Sequence, residues 1–100
     1  MEKEVIQKIF KDYESVIVVD SRMHHCTNDT NMFITCFLDK LSKDNFIPEK
    51  INNVSRDRHY YVGLKSDINE EEIAKTLDFI AVPTYIKEKI QISIHHPAIA

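Results

Sequence analysis

The sequence predicts a single α+β domain, and three observations favour that class. The chain has 100 residues, the size of one ordinary domain and too short for two that each bury a core. Segments with helical spacing of apolar residues alternate along the chain with short β-branched segments. The composition, 43% hydrophobic and 29% charged residues, lies near the averages of globular proteins. We therefore expect a folded chain with one core.

The first twenty residues predict a helix followed by a buried strand. Apolar residues recur at helical spacing through residues 1–14, which predicts an amphipathic helix of about three turns. Residues 15–20 form a β-branched run that is apolar on both faces, which is typical of a central strand. The polar stretch 21–29 predicts a loop.

The segment 30–43 fits two structures. Residues 32–38 could form the second strand of a hairpin. The apolar residues of the same stretch also form a helical stripe with Leu41, and Asp29 or Thr30 would serve as its N-cap. Two lysines near its end lie where a helix C-terminus favours cations. We favour the helix.

Three further strands are predicted. Residues 45–54 contain Pro48, which cannot donate to a ladder, so this strand is expected at an edge of the sheet. Residues 59–65 alternate between the two faces. Residues 90–95 show the most regular alternation in the chain, with isoleucine at every second position.

A helix between the last two strands completes the fold. Asp67 is the expected N-cap, with Glu70 three residues later, and Pro83 is expected to end the helix. The order over residues 15–96 is then strand–helix–strand–strand–helix–strand. These six elements match the ferredoxin-like split βαβ arrangement (βαββαβ), an antiparallel sheet with helices on one face. Right-handed crossovers give the strand order 4-1-3-2, and residues 1–14 precede this core as an added helix.

In this arrangement one face of the sheet receives no helix from the βαββαβ core. It carries Val16, Val18, His59 and Tyr61, and such apolar surface needs a cover. The N-terminal helix or a second subunit could supply that cover. A ligand-binding face is the third interpretation.

Two polar segments are predicted to meet at one end of the sheet. One follows the first strand and runs from Asp20 through the histidines to Asp29, and the other is the turn 56–59. A carboxylate, imidazoles and guanidinium groups would converge there. The candidate catalytic residues are Asp20 and His59, and the candidate binding residues are His24, His25, Arg56, Arg58 and Tyr61.

Three adjacent residues, His24, His25 and Cys26, are candidate metal ligands, because imidazole nitrogen and thiolate sulfur both bind zinc. Three consecutive residues rarely close on one ion, and structural zinc sites space their ligands further apart. The pair His95-His96 is expected at the opposite end of the sheet. We therefore expect no cofactor, with zinc or another divalent metal as the alternative.

The pair Asp20 and His59, with arginines nearby, also suits nucleotide binding or phosphodiester cleavage by a nuclease. The net charge of −3 repels a phosphate backbone. Val16 and Val18 supply no aromatic ring on which an RNA base could stack. Nucleic acid is therefore the less favoured partner.

The absence of catalytic motifs, together with surplus apolar sheet surface, favours a small regulatory or protein-interaction module over an enzyme. We expect it to be inhibitor-like or subunit-like and to form a homodimer through its open sheet face or an edge strand. A ligand- or metal-dependent site at the Asp20–Cys26 and Arg56–His59 end is the alternative. With two cysteines, no signal peptide and no apolar run of bilayer length, the expected location is the cytoplasm, without membrane partners.

Overall fold

The computed structural model describes residues 2–24, 26–54 and 58–97. These residues form a four-stranded antiparallel sheet with helices, which confirms the α+β class. No helix among them is both long and apolar enough to cross a lipid bilayer. The elements in chain order are α1 (Glu2–Ile9), β1 (Ser15–Asp20), α2 (Thr27–Lys43), β2 (Pro48–Val54), β3 (His59–Leu64), α3 (Glu70–Phe79), α4 (Thr84–Lys87) and β4 (Gln91–His95).

The strands lie in the order β2-β3-β1-β4. The central strand β1 pairs with β3 from Ser15 to Asp20 and with β4 from Val16 to Asp20. Both of its faces are buried, because its valines and isoleucine point alternately into two cores. Pro48 begins the edge strand β2, where its missing N–H removes no bond from an inner ladder.

The larger core lies between the sheet and helices α2, α3 and α4. Phe33, Phe37 and Leu41 of α2 are fully buried against Ile17 and Val19 of β1. The helix predicted over 30–43 is confirmed, and the hairpin alternative is wrong. The buried stripe explains the outcome, because these side chains share one face only when the segment is helical.

Both predicted N-caps were wrong by a few residues. Helix α2 begins at Thr27 after Cys26, because the N–H and hydroxyl of Thr30 already bond to the Cys26 carbonyl inside the first turn. Helix α3 is capped by Asn69, whose Oδ1 accepts from the Glu72 N–H at 2.9 Å, rather than by Asp67. The short helix α4 after Pro83 was not predicted.

Helix α1 and the residues after it cover the second face of the sheet. Ile6 and Phe10 pack on Val16, Val18 and Tyr61 in a separate buried cluster, with Ile9 and Tyr13 at its margin. The helix ends at Ile9, earlier than the predicted residue 14, and residues 10–14 are not helical. Of the two covers considered, the structure contains the N-terminal helix.

Candidate functional site

The segment after β1 meets the turn before β3, and we call residues 20–24 with Arg58 and His59 the loop–turn site. The N–H and hydroxyl of Ser21 donate to the Arg58 carbonyl at 3.0 and 2.9 Å. In return, Nε of Arg58 donates to the Ser21 carbonyl at 3.2 Å, and its Nη2 donates to the His24 carbonyl. Arg58 therefore fixes the path of the loop through backbone groups.

Asp20 is held by Arg22 in a forked ion pair. Nε of Arg22 lies 3.0 and 3.1 Å from the two carboxylate oxygens, and Nη2 lies 2.7 Å from Oδ2. The Arg22 N–H also donates to Oδ1 at 3.0 Å. The side-chain bond from Arg22 is the main reason that the pKa of Asp20 falls to about 2. A carboxylate this acidic is a poor proton acceptor near neutral pH.

His59 is buried beside this ion pair, with 7% of its surface exposed. Its Nε2 lies 3.4 Å from Oδ2 of Asp20 and has no hydrogen-bond partner among the described residues. A Coulombic contribution from His59 adds to the lowering of the Asp20 pKa, after the larger contribution of the Arg22 side-chain bond. The buried Nε2 offers no surface to a substrate.

His24 faces the start of α2. Its Nε2 lies 3.0 Å from Oδ2 of Asp29, and its ring centroid lies 6.4 Å from that of Tyr85. The thiol of Cys26 is exposed, and Cys36 is half-buried. His25 and Arg56, two of the predicted binding residues, lie outside the described residues.

Tyr61 is not available to a ligand, because only 2% of its surface is exposed and its ring stacks on Phe10 at 6.1 Å. Within residues 2–24, 26–54 and 58–97, no group of three or more His, Cys, Asp or Glu side chains could hold a metal ion. The ring of His96 lies 3.1 Å from the Glu14 carbonyl, just before β1 begins. The pair His95-His96 therefore lies at the far end of the sheet from His24.

A second surface, which the sequence did not single out, lies at the outer edge of β4. Strand β4 pairs with β1 without a bulge, and none of the described strands pairs with its other side. A groove of about 240 Å³ runs between this edge and α3. We call the edge and its groove the β4–α3 surface, and its lining consists of Glu70, Ile73, Ala74, Leu77, Ile92, Ser93 and Ile94.

The sequence contained one signal for this surface. Ile92 and Ile94 alternate with polar residues, so they were expected to face the core, and they do pack against it while remaining half-buried. What the pattern could not reveal is that α3 leaves the outer side of these isoleucines uncovered. That depends on where α3 lies on the sheet.

Comparison of the chain with known protein families, with curated proteins and with solved structures finds no match.

Proposed function

We propose that this chain is a small protein-interaction module that self-associates by strand pairing at the outer edge of β4. The observation that carries the proposal is the combination of a regular edge strand, whose outer side pairs with none of the described strands, with an apolar groove beside it. An edge strand presents unpaired N–H and C=O groups, which is a template for another strand. The flanking groove adds apolar area that a second chain could bury.

The covered sheet face favours the edge as the place of contact. Val16 and Val18 are almost wholly buried under Ile6 and Phe10. A partner at that face would have to displace α1 and expose the cluster, whereas a partner at β4 displaces nothing among the described residues. Of the two routes to self-association, strand pairing is therefore the less costly.

The contacts at the loop–turn site favour a structural role over chemistry. Arg22 occupies both oxygens of Asp20, and Arg58 is engaged with two backbone carbonyls. These groups hold the loop that leads from β1 into α2, and each of them already has a partner inside the chain. The site therefore supports an interaction module rather than a nuclease or a nucleotide-binding protein.

We assign the chain to the ferredoxin-like split βαβ arrangement with an added helix α1. The assignment is supported by the strand order β2-β3-β1-β4 and by α2 and α3 packing into one core. We place the protein in the cytoplasm, since both cysteines are free thiols.

Light scattering from micromolar to millimolar protein tests self-association. Strand β4 spans roughly 16 Å, which by itself buries less than the 1,200–2,000 Å² or so of a standard interface. We therefore expect a reversible dimer with a micromolar dissociation constant. A mass that stays monomeric over the whole range would contradict the proposal.

The variant Ser93→Lys tests the edge itself. It adds a charge to the middle of β4, and lysine is a residue with which natural edge strands resist pairing. We expect at least about a tenfold weaker dimer, which corresponds to about 1.4 kcal/mol. The matched control is Glu49→Lys, an exposed position on the other edge strand, which should leave the dimer unchanged.

A further inference from the structure

We infer that two copies pair through β4 in antiparallel fashion, with a twofold axis passing through Ser93, so that the two sheets join into one of eight strands. The inference rests on the proposed self-association and adds its geometry. Closed twofold dimers are the commonest form of homo-oligomer, and they require a surface that is complementary to itself. The β4–α3 surface meets that requirement in three ways.

The first is the alternation of side chains along β4. Directly opposed residues of antiparallel strands point to the same side of a sheet. Ile92 and Ile94 lie opposite Val19 and Ile17 of β1, respectively, and face the helices with them. Ser93 lies opposite Val18 and faces the other side of the sheet. Registers that oppose an isoleucine to Ser93 would put the helices of the two copies on opposite faces. Among the remaining registers, only the one centred on Ser93 pairs all five residues of β4.

The second is the chemistry of the opposed side chains. The register centred on Ser93 sets Gln91 against the partner's His95 and Ile92 against the partner's Ile94. Ser93 meets the partner's Ser93 on the axis. Two polar pairs, two apolar pairs and one hydroxyl pair result, and no strand residue carries a permanent charge. Like charges directly opposite each other would be unfavourable, and this register contains none.

The third is the position of the apolar groove. The axis places both α3 helices on the same side of the joined sheet, so that the two grooves face each other across the β4 pair. Ala74 is exposed near the middle of α3, and its small side chain permits a close approach of the helices. Glu70 lies at the N-terminal end of α3, so antiparallel packing keeps the two Glu70 carboxylates at opposite ends of the seam.

Disulfide trapping tests the axis. In a Cys26→Ser/Cys36→Ala background, Ser93→Cys places two thiols on the axis, where opposed Cα atoms of antiparallel strands lie about 4.5–5.5 Å apart. This separation is within the range that a disulfide spans. We expect oxidation to convert most of the Ser93→Cys protein into a covalent dimer.

Gln91→Cys in the same background is the matched control. The two introduced thiols would then be about four residues out of register, or roughly 13 Å apart, which is too far for a disulfide. The combination Gln91→Cys/His95→Cys should restore cross-linking. Light scattering of the reduced background protein verifies that it still associates.

The outcomes separate the axis from the proposed function. Efficient disulfide cross-linking of Ser93→Cys and of Gln91→Cys/His95→Cys, with little cross-linking of Gln91→Cys alone, supports the axis. If the protein forms a reversible dimer but Gln91→Cys and Ser93→Cys form disulfides equally well, or neither forms one, the axis is wrong. Self-association itself would still be supported. A background protein that is monomeric at every concentration, as is the unmodified chain, overturns both.

Discussion

The covered face of the sheet and the β4 edge are both apolar surfaces, but they differ in how completely the chain itself buries them. On the covered face, Phe10 and Val16 are fully buried by contacts within one chain. At the edge, Ile92 and Ile94 keep their outer sides uncovered along the groove beside α3. Surplus apolar surface on a sheet therefore predicts that a contact forms. It does not predict whether that contact lies within one chain or between two chains.

The two edges of the sheet differ in a related way. Strand β2 begins with Pro48 and contains a register irregularity between Pro48 and Lys50, and both features discourage pairing at an edge. Strand β4 contains neither a proline nor a lysine, and its ladder with β1 is regular. Of the two edges, β4 is therefore the one expected to accept another strand.

The largest expected effect comes from opening the covered face with Phe10→Ala. Removing a fully buried phenylalanine should cost about 3–5 kcal/mol in the free energy of unfolding. The matched control, Phe79→Ala, removes a ring that is 69% exposed and should cost little. Urea denaturation of both variants measures the difference, and equal stabilities would mean that the Phe10 ring does not hold the face.

The next effect is expected from Gly63→Ala, which adds one methyl group to the covered face. Its Cβ would lie 2.8 Å from Cδ1 of Tyr13 and 2.9 Å from Cδ1 of Phe10. Both rings would have to shift, so we expect a loss of about 1–3 kcal/mol in the free energy of unfolding. In a strand without this contact, alanine would stabilise relative to glycine. A gain in stability would show that the rings do not lie where the structure places them.

A smaller effect is expected at the polar end of the covered face, from Asp20→Asn. The pKa of Asp20 is about 2 in the folded chain and 3.8 without its partners. A lowered folded-state pKa stabilises the fold above pH 3.8, and the contribution is lost as the pH falls towards 2. Because the Arg22 side chain is 63% exposed, solvent screening reduces the gain to about 1 kcal/mol.

Denaturation across this pH range measures the Asp20 contribution. We expect Asp20→Asn to be less stable than the unmodified chain at neutral pH and equal to it near pH 2. Asp39→Asn, which removes an exposed carboxylate paired with Lys43, is the control and should change little at any pH. A destabilisation by Asp20→Asn that is the same at every pH would mean that the lost contact is not ionic.

The smallest expected effect on folding is that of Ser93→Lys. Ser93 is exposed, so the free energy of unfolding of the monomer should change by no more than about 0.5 kcal/mol. The same substitution should weaken self-association at least tenfold, as proposed above. Thermal denaturation at a concentration where the chain is monomeric separates the two effects, and a large loss of monomer stability would remove Ser93→Lys as a probe of the edge.

The sequence predicted the periodic elements better than their ends. The stripe formed by Phe33, Phe37 and Leu41 identified α2, because burial imposes its period on the residue pattern. The predicted N-cap of α3 was wrong because neighbouring polar residues are chemically suited to the same position. Asp67 and Asn69 can both accept from a helix N-terminus, and the burial of Ile68 between them helps to decide where the helix begins.

The sequence predicted which residues lie close together at the candidate site better than it predicted the contacts that they make. Strand topology brought Asp20 close to Arg58 and His59, as the order of elements implied. The ion pair between Asp20 and Arg22 depends on the path of the loop, and nothing in the residue pattern specifies that path. The burial of Tyr61 depends in the same way on where α1 lies.

Residue-resolved amide hydrogen exchange at low and high protein concentration tests the central claim most directly. Alternate amides of β4 point away from β1 and should exchange freely in the monomer. The account predicts that these amides become at least tenfold more protected at high concentration, while the outward amides of β2 do not change. Protection at β2 instead, or β4 amides that exchange equally fast at concentrations where light scattering detects a dimer, would contradict it.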